Sequence, residues 1–157
     1  MRTLTPKDTY DVEANEFAVF LAGDMKTPWR KELCDLLAEA KIPDLVILDP
    51  TVDDWETYVG EETFTNPKYI TQVSWEHDSL SKANLRVFNF SGKSMAPITL
   101  VEMGTHMKSD DIIKLDDSYE LHGYIEFIAS KSNTPIVNTL QGLVSRIVIK
   151  ATLKGFS

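Results

Sequence analysis

A glutamate near the start of a helix-forming segment is the first residue whose position could support chemistry. Glu102 lies in PITLVEMGTH, where Pro97 can open a helix after the loop segment SGKSMA. A carboxylate placed there would face the crevice at the end of a sheet, where it could attack an electrophilic sugar carbon or bind a hydroxyl. The alternative is an ordinary solvent-exposed helix carboxylate, since most glutamates in proteins are exposed.

An aromatic residue and a carboxylic acid share one face of an earlier helical segment, WEHDSLSKAN. Trp75 and Asp78 are three residues apart, so a helix places them side by side. Such a pair could stack a planar base and protonate its leaving nitrogen. The alternative is a tryptophan at the edge of the core and a solvated aspartate. Glu76 lies on a different face of this helix, and we expect it to be solvated.

The turn after the apolar run FAVFLAG could also contribute to a site. Gly23 permits close approach of the backbone before a helix N-terminus, as in phosphate-binding loops. However, the chain lacks both G-x-G-x-x-G and the Walker pattern, and Asp24 would repel a phosphate. The turn therefore favours a neutral ligand rich in hydroxyl groups.

The histidines and the cysteine do not form a known motif. His77, His106 and His122 lack the H-E-x-x-H and C-x-x-C spacings, so no metal site is expected, and His77 is expected on the inner face of its helix. Cys34 is the only cysteine, which excludes an intramolecular disulfide. The chain has no G-x-S-x-G serine elbow, so thiol and serine hydrolases are disfavoured.

Short apolar runs alternate with segments of helical periodicity along the chain. Five runs predict strands: 17–23, 45–48, 85–90, 112–115 and 134–137. Apolar residues at helical spacing predict helices after Thr27-Pro28, Asn66-Pro67 and Pro97, near Leu121–Ile128, and from Leu140 to Ala151. A short helix is also expected around 54–59.

This alternation predicts an α/β fold with helices on both faces of a doubly wound parallel sheet. For five strands the expected order is flavodoxin-like (Rossmann-like), 2-1-3-4-5. Ligands in such folds bind beyond the carboxyl ends of strands 1 and 3, where the winding reverses. The turn after Gly23, the loop 90–96 and the following helix should converge there. Residues 1–16 are polar and predict a flexible or loosely docked arm before a single domain over 17–157.

The composition narrows the classes of partner. The chain has 157 residues, enough for one domain with a sizeable core, and its net charge is −8. Because phosphate binding depends on Lys and Arg, this charge disfavours nucleic acids and anionic membranes. No apolar run approaches the length of a membrane span, and the N-terminal segment lacks the apolar core of a signal peptide. A cytoplasmic location is expected.

Four segments together resemble the nucleoside 2-deoxyribosyltransferase family. They are FLAG, LDPTVDDW, QVSWEHDSLSKAN and APITLVEMGTH, and the similarity is closest to the "-like" branch of the family. The resemblance covers roughly residues 17–140, and it implies the flavodoxin-like fold that the strand–helix pattern also predicts. By this resemblance, Glu102 matches the nucleophile of the family, and Asp78 matches the aspartate that helps to bind and protonate the base.

The chain also departs from the better-known transferases of the family. Val19 and Phe20 stand where those enzymes have a tyrosine, and Ala96 stands where they have an aspartate that contacts the sugar. Other side chains would then have to make the sugar contacts, and Asp24, Asp53 or Ser94 could do so. The candidate substrate-binding residues are Gly23, Asp24, Asp53, Trp55, Trp75 and Ser94.

The resemblance implies an enzyme that cleaves the N-glycosidic bond of a 2′-deoxynucleoside without a metal or cofactor. Glu102 would attack C1′, the base would leave with a proton from Asp78 or a nearby water, and a second nucleobase would accept the sugar. One alternative is a nucleoside or nucleotide hydrolase, in which the same glutamate passes the sugar to water. A third hypothesis, from another class, is a non-catalytic module that senses a nucleotide.

The closing helix predicts self-association. Leu143 and Ile147 can cover the sheet, but Val148, Ile149 and Leu153 lie on further sides of the helix. A homodimer or higher homo-oligomer would cover these additional apolar side chains. The family resemblance implies the same, with active-site residues shared between neighbouring chains. The alternative is that the N-terminal arm folds back over this surface.

Overall fold

Six parallel strands form the centre of the structure, a computed structural model that describes residues 1–52 and 64–156. The strands are β1 (Arg2–Leu4), β2 (Phe17–Gly23), β3 (Leu45–Leu48), β4 (Leu85–Phe90), β5 (Ile112–Leu115) and β6 (Ile136–Val137). Their order in the sheet is β1-β3-β2-β4-β5-β6. The predicted α/β class with a doubly wound parallel sheet is confirmed, and the last five strands lie in the predicted 2-1-3-4-5 order.

The predicted strand count is wrong by one, because residues 2–4 form an additional strand at the edge of the sheet. β1 pairs in parallel with β3. Arg2 donates to the side chains of Glu16 and Asp11, at 2.7 and 2.8 Å, and Leu4 is buried. This part of the expected arm is therefore docked on the sheet. A strand of three residues with one buried side chain has too little periodicity to be detected in a sequence.

Five helices cover the two faces of the sheet in the described part of the chain. They are α1 (Trp29–Ala40), α2 (Pro67–Lys82), α3 (Pro97–His106), α4 (His122–Ser132) and α5 (Leu140–Leu153). α1 and α5 pack on one face, and α2, α3 and α4 contribute to the apolar cluster on the other. Successive residues of β2 alternate between the two clusters, which explains why this strand is apolar throughout. None of these helices is both long enough and apolar enough to span a bilayer.

Prolines determine where two of the helices begin. Pro67 and Pro97 are the first residues of α2 and α3, as predicted. Asn66 caps α2, where its side chain accepts a hydrogen bond from the backbone N–H of Lys68. The chain enters α3 through Ala96, whose φ of 45° lies in the left-handed region. This sharp turn sets the direction in which α3, the helix that carries Glu102, begins.

The buried face of α2 differs from the prediction. The buried side chains are Gln72, Trp75, Ser79 and Leu80. His77, which was expected on the inner face of this helix, is exposed. The apolar residues predicted the wrong inward-facing side of α2. The reason is that part of the inward-facing side borders a polar cleft, where Gln72 and Glu76 stand in place of apolar residues.

A buried ion pair joins β4 to the turn before β5. Arg86 Nε donates to Asp111 Oδ2 at 2.7 Å, and the backbone N–H of Arg86 donates to Oδ1 at 2.9 Å. The guanidinium also donates to the carbonyls of Leu80 and Ala83 at the end of α2. Both charged side chains are almost fully buried, so water cannot replace a partner that is lost.

We expect Asp111→Ala to lower the free energy of unfolding by about 3 kcal/mol, because Arg86 would stay buried without its counter-charge. Urea unfolding should show a lower midpoint with an unchanged slope. Asp110→Ala is the matched control, since Asp110 pairs with Lys150 and Lys154 at the surface and should contribute less than about 1 kcal/mol. Equal losses in the two variants would contradict this account of the buried pair.

Candidate active site

A cleft opens at the carboxyl ends of β2 and β4, where the winding of the sheet reverses. Its empty volume, which includes space open to solvent, is about 450 Å³. The lining residues are Gly23, Met25, Arg30, Pro50, Gln72, Glu76, Ile98, Thr99 and Glu102. They come from the turn after β2, the segment after β3, and helices α1, α2 and α3. Of the segments predicted to converge here, the turn after Gly23 and helix α3 line the cleft, whereas the loop 90–96 lines a neighbouring depression.

Glu102 lies in this cleft. Its side chain projects from the second turn of α3, and the residue is only 6% exposed. Burial raises the pKa of Glu102 to about 8, the negative charge of Glu76 adds to this effect, and Arg30 opposes it. A carboxyl group with such a pKa holds its proton at neutral pH in the empty cleft, and it can give up that proton during a reaction.

Glu76 faces the same cleft from α2, and the expectation that it is solvated is wrong. The residue is half-buried and accepts a hydrogen bond from Gln72 Nε2 at 3.0 Å. Burial raises the pKa of Glu76, while the bond from Gln72 and the charge of Arg30 lower it. The cleft therefore contains two carboxyl groups, on two helices, that both bind protons more tightly than exposed glutamates do.

Arg30 supplies a positive charge to this cleft, and sequence reasoning missed it. Its guanidinium donates to the carbonyls of Leu21, Gly23 and Asp24 at 3.1, 2.8 and 2.9 Å and lies 3.4 Å from Asp49 Oδ1. These contacts fix its position at the end of β2. Its spacing from Leu33 and Leu37 places it on the buried stripe of α1, and an arginine on such a stripe was the available signal.

The structure does not bring Asp78 or Trp75 to the cleft lining. The Asp78 side chain is 69% exposed and lies 3.4 Å from Lys82 on the outer side of α2. Trp75 is buried in the core, where its ring packs against Phe20 at a centroid distance of 6.5 Å. For both residues the geometry matches the alternative that the sequence left open, a solvated aspartate and a tryptophan in the core.

Gly23 lines the cleft, and Asp24 is buried in the turn that follows it. A Cβ atom at Gly23 would lie 2.7 Å from the Trp29 ring, so the close packing of α1 requires glycine there. The buried Asp24 carboxylate accepts hydrogen bonds from the backbone N–H groups of Lys26 and Thr27, and from Ser91 Oγ at 2.8 Å. Asp24 therefore organises the turn before α1, which begins at Trp29 without a cap from Thr27.

The remaining candidates lie beside the cleft or outside the described residues. Ser94 is half-buried in the loop after β4, where its hydroxyl accepts a hydrogen bond from the backbone N–H of Ala96. It lines a neighbouring depression with Lys93. Asp53, Trp55 and the short helix expected around 54–59 fall outside the described residues.

The raised pKa of Glu102 predicts how stability depends on pH. The pKa of Glu102 is near 4.5 in the unfolded chain and about 8 in the folded protein. Between these two pH values the carboxyl group ionises more readily in the unfolded chain, so the fold loses stability progressively as the pH rises. Glu102→Gln removes this loss, so the variant should be more stable than the original protein by a few kcal/mol at about pH 8, and the difference should shrink towards about pH 5. Urea unfolding at the two pH values measures it. A difference that does not depend on pH would contradict the burial of an ionisable Glu102.

Comparison with known proteins shows the family of the chain. The model of the family described as nucleoside 2-deoxyribosyltransferase like matches residues 16–117, which is more than half of the chain. None of the curated proteins compared matches the chain. The matched range includes Arg30, Glu76 and Glu102, and it contains all four segments on which the resemblance was based. The chain belongs to the nucleoside 2-deoxyribosyltransferase-like family.

Proposed function

We propose that the protein cleaves the N-glycosidic bond of a 2′-deoxynucleoside and transfers the deoxyribosyl group to a second nucleobase. The observation that carries this proposal is a pair of carboxyl groups, of the buried Glu102 and the half-buried Glu76, that face one cleft with raised pKa values. Glycosyl transfer with a covalent intermediate uses such a pair, one group as nucleophile and the other in proton transfer. Membership of the family supports an enzyme of this general kind.

In the first half of the reaction, Glu102 and Glu76 together hold one proton, which passes from Glu102 to Glu76 when the nucleoside binds and leaves Glu102 as a carboxylate. The Glu102 carboxylate attacks C1′ of the nucleoside, and the bond between C1′ and the base nitrogen breaks. The base takes the shared proton and leaves as the neutral nucleobase. Glu102 is then esterified to the sugar, and Glu76 is a carboxylate.

In the second half, a different nucleobase enters the cleft. Its ring nitrogen attacks C1′ and gives its proton to Glu76, while Glu102 leaves the sugar as a carboxylate. The product is a new deoxynucleoside, and the pair again holds one proton. The positive charge of Arg30 stabilises the Glu102 carboxylate at both ends of this cycle, because it favours the charged form of the group.

Glu76 replaces Asp78 as the group that exchanges a proton with the base. Glu76 lines the cleft, whereas the Asp78 carboxylate is exposed and close to Lys82. A general acid has to reach the atom that it protonates, either directly or through one water. The family resemblance led to an aspartate two residues further along the same helix.

The charge of the cleft favours a nucleoside without a 5′-phosphate. Arg30 is the one cation among the described lining residues, and backbone carbonyls and Asp49 already occupy its guanidinium. The one negative charge left on the Glu76–Glu102 pair, together with the nearby Asp24 carboxylate, would repel a phosphate. A neutral, hydroxyl-rich sugar suits these surroundings better.

Incubation of the protein with deoxyinosine and adenine, followed by separation of the products, tests the proposed function. Formation of deoxyadenosine is the expected result. Free hypoxanthine without deoxyadenosine would instead support the hydrolase alternative, in which water takes the place of the second base. Binding of the nucleoside without any turnover would support the non-catalytic sensor and would contradict the proposal.

We also expect the protein to be a homodimer or a higher homo-oligomer. Ile149 and Leu153 on α5 are exposed, at 48% and 77%, although Val148 packs partly against the core. Light scattering at micromolar concentration should give at least twice the chain mass of 17.7 kDa. A mass near that of one chain would contradict self-association, and an Ile149→Asp variant that remains a dimer would move the interface away from α5.

A further inference from the structure

Two histidines on neighbouring helices hold ring nitrogens close together. His77 Nδ1, on α2, lies 3.0 Å from His106 Nε2, at the end of α3. The ring planes are inclined at 59°, and their centroids are 5.1 Å apart. His77 is exposed and His106 half-buried, so solvent and ions can reach the pair.

The separation of these nitrogens matches that of two ligands on one metal ion. Zinc binds imidazole nitrogens at about 2.0–2.1 Å, so two such nitrogens lie about 2.9–3.4 Å apart at octahedral or tetrahedral angles. Imidazole is a preferred ligand of zinc, copper and nickel. To bind one ion, both rings would have to turn so that their lone pairs leave the line between the two nitrogens and meet at a common point.

We propose that His77 and His106 form a binding site for a divalent transition metal such as Zn²⁺, with water in the remaining coordination positions. This site goes beyond the proposed function and does not depend on it. In the described part of the chain, no group of three or more His, Cys, Asp or Glu side chains could hold a metal ion. A two-histidine site is therefore open, and it should bind its ion reversibly.

The protonation states of the two rings permit such a site. Without metal, one of the two facing nitrogens carries a proton and donates it to the other. To bind the metal, the facing nitrogen that carries this proton has to lose it to solvent. The other nitrogen of the same ring, which points away from the pair, takes up a proton in exchange. The neutral pair therefore releases no net proton. Two cations, Arg86 and Lys108, act on His106 and oppose a bound metal ion. Arg86 is itself paired with Asp111, which reduces its repulsion of a cation.

A bound ion would connect the two helices that carry the carboxyl groups of the cleft. His77 follows Glu76 directly on α2, and His106 lies one helical turn after Glu102 on α3. The ion would therefore limit the movement of α2 relative to α3. The histidines are 29 residues apart on separate helices, which explains why no spacing motif in the sequence indicates a metal site.

Calorimetric titration of the untagged full-length chain with zinc chloride tests this site. One ion per chain should bind at about pH 7.5, and binding should be lost near pH 5, where imidazole is protonated. His77→Gln and His106→Gln should each weaken binding at least about tenfold, a change of about 1.4 kcal/mol. His122→Gln is the matched control, because His122 lies near Asp117 and Glu126 on α4, away from the pair.

Electron paramagnetic resonance of the Cu²⁺-loaded protein gives a second readout. The spectrum should show coupling to two imidazole nitrogens, and each single variant should retain one. Absence of zinc binding to the original protein would overturn the proposal. The same holds if His122→Gln, and not the other two substitutions, removes the bound ion, or if His77→Gln and His106→Gln bind zinc as the original protein does.

Discussion

Replacing Glu102 with Gln is expected to reduce turnover of a deoxynucleoside by about four orders of magnitude or more while the protein stays folded. The amide has nearly the same shape as the carboxyl group, but its oxygen is a weak nucleophile and cannot form the glycosyl ester. Steady-state kinetics with deoxyinosine and adenine measure the loss. The variant should still bind the nucleoside, since the shape of the cleft is preserved.

Glu39→Gln is the matched control for this substitution. Glu39 is an exposed residue of α1, away from the cleft, so the same chemical change there should leave activity intact. If Glu102→Gln kept more than about a tenth of the original activity, a loss of only about 1.4 kcal/mol, Glu102 would not be the nucleophile.

The second large effect is expected for Glu76→Gln, which should slow the reaction of a natural deoxynucleoside by about 10²–10⁴-fold. The amide cannot supply the proton that the departing base needs. A deoxyriboside with an activated aryl leaving group needs little protonation, so its cleavage should slow much less. The ratio of the two losses separates proton transfer from a general disturbance of the cleft.

Asp78→Asn provides the comparison that distinguishes the two acidic residues of α2. Because Asp78 is exposed and close to Lys82, its replacement should change the rates of both substrates by less than about threefold. A large loss for Asp78→Asn that depends on the leaving group, with little effect of Glu76→Gln, would return the role of acid to Asp78. Equal losses on the two substrates for Glu76→Gln would reduce Glu76 to a positioning residue.

The fold could be predicted from the sequence because each central strand is a short apolar run that ends at a turn. β2 is buried on both faces, and this produces the continuous pattern FAVFLAG. β1 was missed because an edge strand of three residues buries only Leu4, which leaves no pattern. Its position depends instead on pairing with β3 and on the contacts of Arg2 with Glu16 and Asp11, which are distant in sequence.

The candidate site could be predicted only in part. Glu102 was placed correctly in the cleft because Pro97 fixes the start of α3 and therefore the direction of each side chain on it. The phase of α2 was wrong because Gln72 and Glu76 face the cleft and break the apolar stripe. Arg30 was missed because its burial depends on partners that stabilise the charge. These partners are backbone carbonyls, which a sequence pattern does not reveal.

Trapping of the covalent intermediate tests the central claim most directly. The protein would be mixed with deoxyinosine in the absence of a second base, quenched with acid, digested and examined by mass spectrometry. The account predicts that one deoxyribosyl group is attached to the peptide that contains Glu102, and that the adduct is absent from Glu102→Gln. Turnover in the same sample without any adduct, or an adduct on a different residue, would contradict the assignment of Glu102 as the nucleophile.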